Sequence, residues 1–241
     1  MDGLLQPPAP NAPPKAPSPL ELAIYQFEQK CQEYHLGKAK AAPNDETPEQ
    51  AKARNAAFHR DWEHLQSERT RIVALTQIQA ELEQYRESNK SKSAREMSKE
   101  AHHPTDDLAK YLAAVAEPKP SPYHDAHHVI PGKGRWLQDR IANARLNMHL
   151  HGIGVSDPKN GAWLPRNIEH KGHWATPKAP AHKEIHRYNY ETWISVKFER
   201  DGLPKIAFEA ELRDIKMKLK YGGYPPEITM PKDSSWRGEE V

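Results

Sequence analysis

Across 241 residues, 22 prolines, 28% charged and only 37% hydrophobic side chains leave room for one well-packed region, with much of the chain in exposed helix and loop. No run approaches eighteen apolar residues, which excludes a membrane-spanning helix, and a single cysteine, Cys31, excludes internal disulfides and the CxxC ligand pairs of zinc ribbons and zinc deaminases. The formal charge is +2 and its surplus sits late: from Glu117 onward there are 20 Lys and Arg against 16 Asp and Glu, which permits a polyanionic partner.

The start, MDGLLQPPAPNAPP, has neither the basic nor the apolar region of a secretory signal, so the chain is expected to be made in the cytoplasm without a Sec leader. Residues 1–17 are Pro-rich and expected to be disordered. Ser18-Pro19-Leu20-Glu21 then reads as a helix start, with a serine cap, proline in the first turn and glutamate three residues on. Ile24, Phe27, Cys31 and Tyr34 follow at helical spacing and place Cys31 on a core face, the helix ending at Gly37.

A polar break, KAAPNDETP, precedes the longest periodic segment, in which Phe58, Trp62, Leu65, Ile72, Leu75, Ile78, Leu82 and Tyr85 recur every three or four residues. This long amphipathic helix needs a partner stripe, and its aromatics read as packing; it carries no chemistry. After the polar, loosely helical ESNKSKSAREMSKE comes Ala101-His102-His103, directly before Pro104 and a short apolar helix, DLAKYLAAVA. A histidine pair where the chain turns before a capped helix reads as solvated loop. The helical region spans 18–116, and EPKPSP at 117–122 reads as a linker.

Beyond the linker, nine of the 14 histidines lie between His124 and His186. His127 and His128 read as part of a short strand, an apolar-sided helix is expected from Gly134 to about His149, and the turn signal Asn160-Gly161 leads into the apolar run Ala162-Trp163-Leu164. A helix is expected to follow Pro180, with His182 and His186 four apart on one face, able to grip one cation. A third imidazole can come from His127 or His128, and three nitrogen donors with positions left open make a catalytic kind of metal site. Neighbouring strand residues point to opposite sides, so one of the pair is expected to bind metal and the other to act as a base. His124, His149, His151, His170 and His173 read as surface or loop histidines, with His173 the reserve ligand. Residues 201–241 read as one more amphipathic helix, ending at Gly222-Gly223, and a tail.

The ordered set Asp125-Ala126-His127-His128-Val-Ile-Pro, Asn160-Gly161, Leu164-Pro165 and His182-x-x-x-His186 with Tyr190 after it resembles the AHH family, a nuclease branch of the HNH/endonuclease VII superfamily found in polymorphic toxins and type VI secretion effectors. The resemblance implies a mostly α chain with a small α+β core, a ββα-metal (His-Me finger) nuclease domain over 123–200 behind a helical N-terminal region, with Ala126–Ile130 as the first strand and Ala162–Leu164 on or beside the second. It implies His127 as first metal ligand, His128 as the base that activates water, Asn160 orienting that base through its amide, and His182 and His186 as the remaining ligands. Lys133, Arg135, Lys183 and Arg187 flank these motifs and are candidates for phosphate contacts.

The implied activity is metal-dependent hydrolysis of nucleic-acid phosphodiesters by an antibacterial toxin or effector, with DNA placed before RNA. Its single divalent ion is zinc or nickel on the imidazole set, or magnesium or manganese as superfamily members also use. Implied partners are a cognate immunity protein and, through the helical N-terminal region, a secretion-system component or chaperone that delivers the protein into a target cell. The competing reading is a non-catalytic module in which the histidines hold a structural metal and the basic half binds nucleic acid or a partner.

Overall fold

The computed structural model describes residues 14–101 and 105–239. They fall into two compact units, Met1–Gln77 and Ile78–Val241. His102 and His103, read above as a solvated pair, lie outside the described residues, as does most of the 1–17 segment.

The first unit holds α1 (Pro19–Ala39) and the greater part of α2 (Pro48–Lys90). The expected capping box is present at α1: Ser18 Oγ accepts the Glu21 N–H, and Glu21 returns a carboxylate oxygen to the Ser18 N–H at 2.7 Å. Thr47 and Gln50 form a second one at the start of α2, around Pro48 in its first turn. Tyr34 packs its ring against Phe58 and Trp62, and Lys30 pairs with Glu68 at 2.6 Å. No α1 residue is buried, so Cys31 and the expected face around it are only half covered by a single helix partner. The helix runs past Gly37 to Ala39.

The second unit is built on the antiparallel pair β1 (His124–His128) and β2 (Gly161–Pro165), in a register that sets His128 opposite Gly161 and His124 opposite Pro165. Between the strands runs α5 (Gln138–Leu150), and after β2 comes α6 (Tyr188–Phe198). This is the expected ββα arrangement with an inserted helix, in a chain that is mostly α. Each strand begins within two residues of its expected position, and residues 117–122 join α4 to β1 inside this unit.

One face of the hairpin is closed by α4 (Thr105–Ala114), whose Leu108 and Leu112 pack against Ala126 and Trp163. Gly161 is required there, since a Cβ would stand 2.6 Å from a Leu108 methyl. The main core joins Ile141, Ala144 and Met148 of α5 to Tyr190, Trp193, Ile194 and Phe198 of α6. Burial of such side chains contributes about 1.5–3 kcal/mol each. α3 (Ala94–Met97) is the one helical turn in the polar 87–100 stretch beyond the end of α2.

The tail expectation is corrected. α7 (Lys205–Tyr221) adds Phe208, Leu212, Ile215 and Leu219 to the core, and Gly222 ends it with a left-handed φ of 90°. The chain then folds back, burying Ile228 and packing Trp236 on the core. One buried side chain holds this return: Asn189 donates to the carbonyls of Glu227 and Pro231 and accepts the Asp233 N–H.

Candidate metal and nuclease site

His127, His182 and His186 converge, with one ring nitrogen from each within 4.8 Å of the others. They line a cleft of about 240 Å³ with His128, Lys133, Arg135, Arg187 and Tyr190. His127 comes from β1. His182 and His186 come from the segment ahead of α6 and not from an α-helix, which corrects the expectation. His182–Glu184 is a lone 3-10 turn, and α6 starts only at Tyr188. Glu184 folds back so that its carboxylate accepts the Ala181 N–H at 2.7 Å, closing that single turn in place of a longer helix. The two rings still meet, His182 Nε2 standing 2.9 Å from His186 Nε2.

The hydrogen-bond partners assign the tautomers. Tyr190 has one hydroxyl proton and donates it to the Val129 carbonyl at 2.8 Å. His127 Nε2, 2.8 Å from the same oxygen, must therefore be the donor, leaving His127 Nδ1 with a lone pair. Burial first, then the neighbouring imidazoles, pushes the His127 pKa well below its ordinary value, so the ring is neutral. His182 Nδ1 lies 3.5 Å from Asp125, which puts its proton on that side and a lone pair on Nε2. Burial lowers the His182 pKa too, against the opposing pull of Asp125.

These residues fit a divalent cation. Bonds of about 2.1 Å to a shared ion separate two nitrogen donors by roughly 3.4 Å, a spacing between the closest pair and the outer limit found here. A carboxylate behind one ligand and a phenol behind another are the outer contacts that orient metal-binding imidazoles. Asp125 is itself fixed by Arg166, with contacts of 2.9–3.2 Å. Burial raises the Asp125 pKa, but Arg166 and His182 outweigh it and the net shift is downward, so the carboxylate stays charged.

His128 is the last residue of β1, buried to 7% exposure, and lines the same cleft as the triad. Asn160 does not reach it through the amide, contrary to the expected contact. Both amide protons go to the carbonyls of Ile130 and Val155, and the amide oxygen accepts the Ile130 N–H at 2.7 Å. With the Asn160 carbonyl accepting the Val129 N–H, this residue clamps the backbone just past His128 and so positions the imidazole indirectly.

Of the four candidate phosphate contacts, Lys133, Arg135 and Arg187 line the cleft. Lys183 is exposed on the 3-10 turn and does not line it. The loop bearing Lys133 and Arg135 is held by Glu191, whose carboxylate accepts the N–H groups of Arg135, Trp136 and Leu137 at 2.6–2.8 Å. Sequence reading gave no role to Glu191, which lies in an apolar helix far along the chain. Asp125 was legible in principle, since residues two apart on a strand share a face and it stands beside His127.

The other histidines lie elsewhere. His124 and His149 are buried and hydrogen-bonded, which corrects their reading as surface groups. His124 sits between Ser121 and Thr176, and His149 accepts from Arg145 and faces the Ile153 carbonyl. His151 packs on Phe208. His173, the reserve ligand, accepts the Ala175 N–H and is not part of the triad.

Residues 108–203 match the model of AHH, a nuclease family of the HNH/ENDO VII superfamily with conserved AHH. The match spans Ala126-His127-His128 and starts after Ala101-His102-His103, so of the two histidine pairs it covers only the one in the cleft. No curated protein and no solved structure matches the chain. Over residues 108–203, less than half of its length, the chain is therefore similar to the AHH nuclease family of the HNH/ENDO VII superfamily.

Proposed function

We propose that the chain is a metal-dependent endonuclease that hydrolyses phosphodiester bonds, with DNA as its first substrate. The observation that carries this reading is the convergence of three imidazoles beside a fourth, His128, in a cleft edged by Lys133, Arg135 and Arg187. When bound, a divalent cation on His127, His182 and His186 supplies counter-charge for the scissile phosphate and the leaving oxygen.

The protein's own groups do the remaining work. The three basic side chains hold the phosphate backbone over the cleft, where they carry no sequence preference. His128 takes the proton of the attacking water through a ring nitrogen and passes it to solvent after the bond breaks. Tyr190 and Asp125 hold the ligand imidazoles in the tautomers that present lone pairs to the cleft. Asn160 keeps the end of β1 in place, and Glu191 keeps the basic loop there.

The proposal extends to biology through the family: a toxin or effector loaded in the cytoplasm, delivered by specialised machinery that engages the helical N-terminal region, and blocked in its producer by an acidic immunity protein over the cleft. Zinc or nickel suits the imidazole donors, with magnesium or manganese next. The test is incubation of purified full-length protein with supercoiled plasmid, and separately with RNA, in each of these ions or in EDTA. Nicking and linearisation that need an ion support the reading. Plasmid and RNA left intact under every ion would favour the non-catalytic module.

A further inference from the structure

Beside the triad lies a surface that hydrolysis does not use. Tyr123, 55% exposed, stacks flat on His170 with ring centroids 4.4 Å apart and planes 11° from parallel. Trp174, 84% exposed, is the most open tryptophan among the described residues, and its ring leans on His173 at 5.5 Å. Solvated aromatics of this size forgo a large burial gain unless something covers them.

The surface is built on a firm base. His173 packs edge-on against His124 at 4.9 Å, and His124 is wholly buried on β1 between the hydroxyls of Ser121 and Thr176. It is also continuous with the candidate site. Arg166 starts the loop that carries His170 and Trp174 and pairs with Asp125, the carboxylate behind His182. Lys171 pairs with Glu184 on the same turn as His182 at 3.2 Å. From 166 to 187 the chain carries Arg166, Lys171, Lys178, Lys183 and Arg187 against Glu169 and Glu184 alone.

We propose that Tyr123, His170 and Trp174 form a stacking platform for unpaired bases of the nucleic-acid strand that enters the cleft. This deepens the nuclease reading and rests on it. Flat rings set among cations fit the two parts of a single strand, its base faces and its phosphates, and fit it without regard to sequence. An apolar protein partner would want a wide hydrophobic patch, and here Lys171 lies between His170 and Trp174 along the chain. The platform gives the enzyme a preference for single-stranded or frayed substrate.

The test is fluorescence anisotropy of a labelled oligothymidylate of about 16 nucleotides with full-length protein in EDTA, which prevents cutting. Trp174→Ala and Tyr123→Ala are each expected to weaken binding about tenfold, and Trp174→Phe to keep most of it. Hydrolysis of bis(p-nitrophenyl) phosphate, too small to reach the platform, stays unchanged in Trp174→Ala while KM for the single strand rises. Equal binding by Trp174→Ala, Tyr123→Ala and the parent would overturn the platform and leave the nuclease reading standing. A parent dimer in sedimentation velocity that Trp174→Ala converts to monomer would assign the surface to a second copy and overturn it too. A parent that neither binds the oligonucleotide nor cuts any nucleic acid would bring down both readings together.

Discussion

From Ile78 onward the protein buries Trp193, Tyr190, Phe198 and Phe208 almost completely, whereas in the unit ending at Gln77 the described residues bury Leu65 alone. The first unit satisfies its helices locally, through caps, the Lys30–Glu68 ion pair and half-covered aromatics. The second holds His127 through Tyr190, His182 through Asp125 and the 135–137 backbone through Glu191. A metal site needs its ligands held to fractions of an ångström, and only a packed core with outer-sphere hydrogen bonds provides that.

The sharpest way to break this contrast is to remove ligands. His182→Ala combined with His186→Ala is expected to abolish ion binding in calorimetry and to lower cutting by at least a thousandfold, with His59→Ala on the exposed side of α2 as an inert control. Unchanged ion affinity in the double variant would move the metal elsewhere. In the core, Trp193→Ala should cost about 3–5 kcal/mol in urea unfolding. Trp62→Ala, at a site 44% exposed in the first unit where the ring meets Tyr34, should cost only about 0.5–1.5 kcal/mol, and equal losses at the two sites would erase the distinction.

Tyr190→Phe sharpens the tautomer argument. It removes the acceptor that holds the His127 proton on Nε2, and ion affinity should fall by about 10- to 100-fold. An affinity equal to the parent's would show that His127 ligates without that hold.

A smaller, graded effect concerns acid. Burial lowers the pKa of His124, His127, His149, His151 and His182 below the ordinary imidazole value of about 6.5. Between the folded and unfolded values the unfolded chain binds more protons, so stability is present above that value and is lost as pH falls through it. The metal-free protein should melt at a lower temperature at pH 5.5 than at pH 7.5, most steeply just below neutrality. A flat melting profile over that range would contradict the buried neutral imidazoles.

How far the sequence could be read depended on the range of the interactions. The Ser18 capping box and the short strands around His127 and Ala162 are set by neighbours a few residues apart and stand within two residues of where they are expected. The helix between the strands, by contrast, starts at Gln138 and not at Gly134, because Glu191 takes the N–H groups of residues 135–137. The triad itself was legible because chemistry limits which residues can bind a cation. The α-helix expected under His182 failed because spacing of four does not tell an α-helix from a turn closed by Glu184. Contacts across tens of residues left no local trace: Glu191 on the 135–137 backbone, Asn189 holding the C-terminal return, Asn160 on Ile130 in place of an imidazole. Buried His124 could not be told from a loop histidine, since its partner Thr176 lies far along the chain.

The measurement that tests the account most directly is single-turnover cleavage of plasmid by His128→Ala alongside ion binding by the same variant. The account predicts ion affinity equal to the parent's and cutting slower by about a hundred- to ten-thousand-fold. Parental cutting rates with the ion bound would contradict it, because His128 would then have no part in activating water.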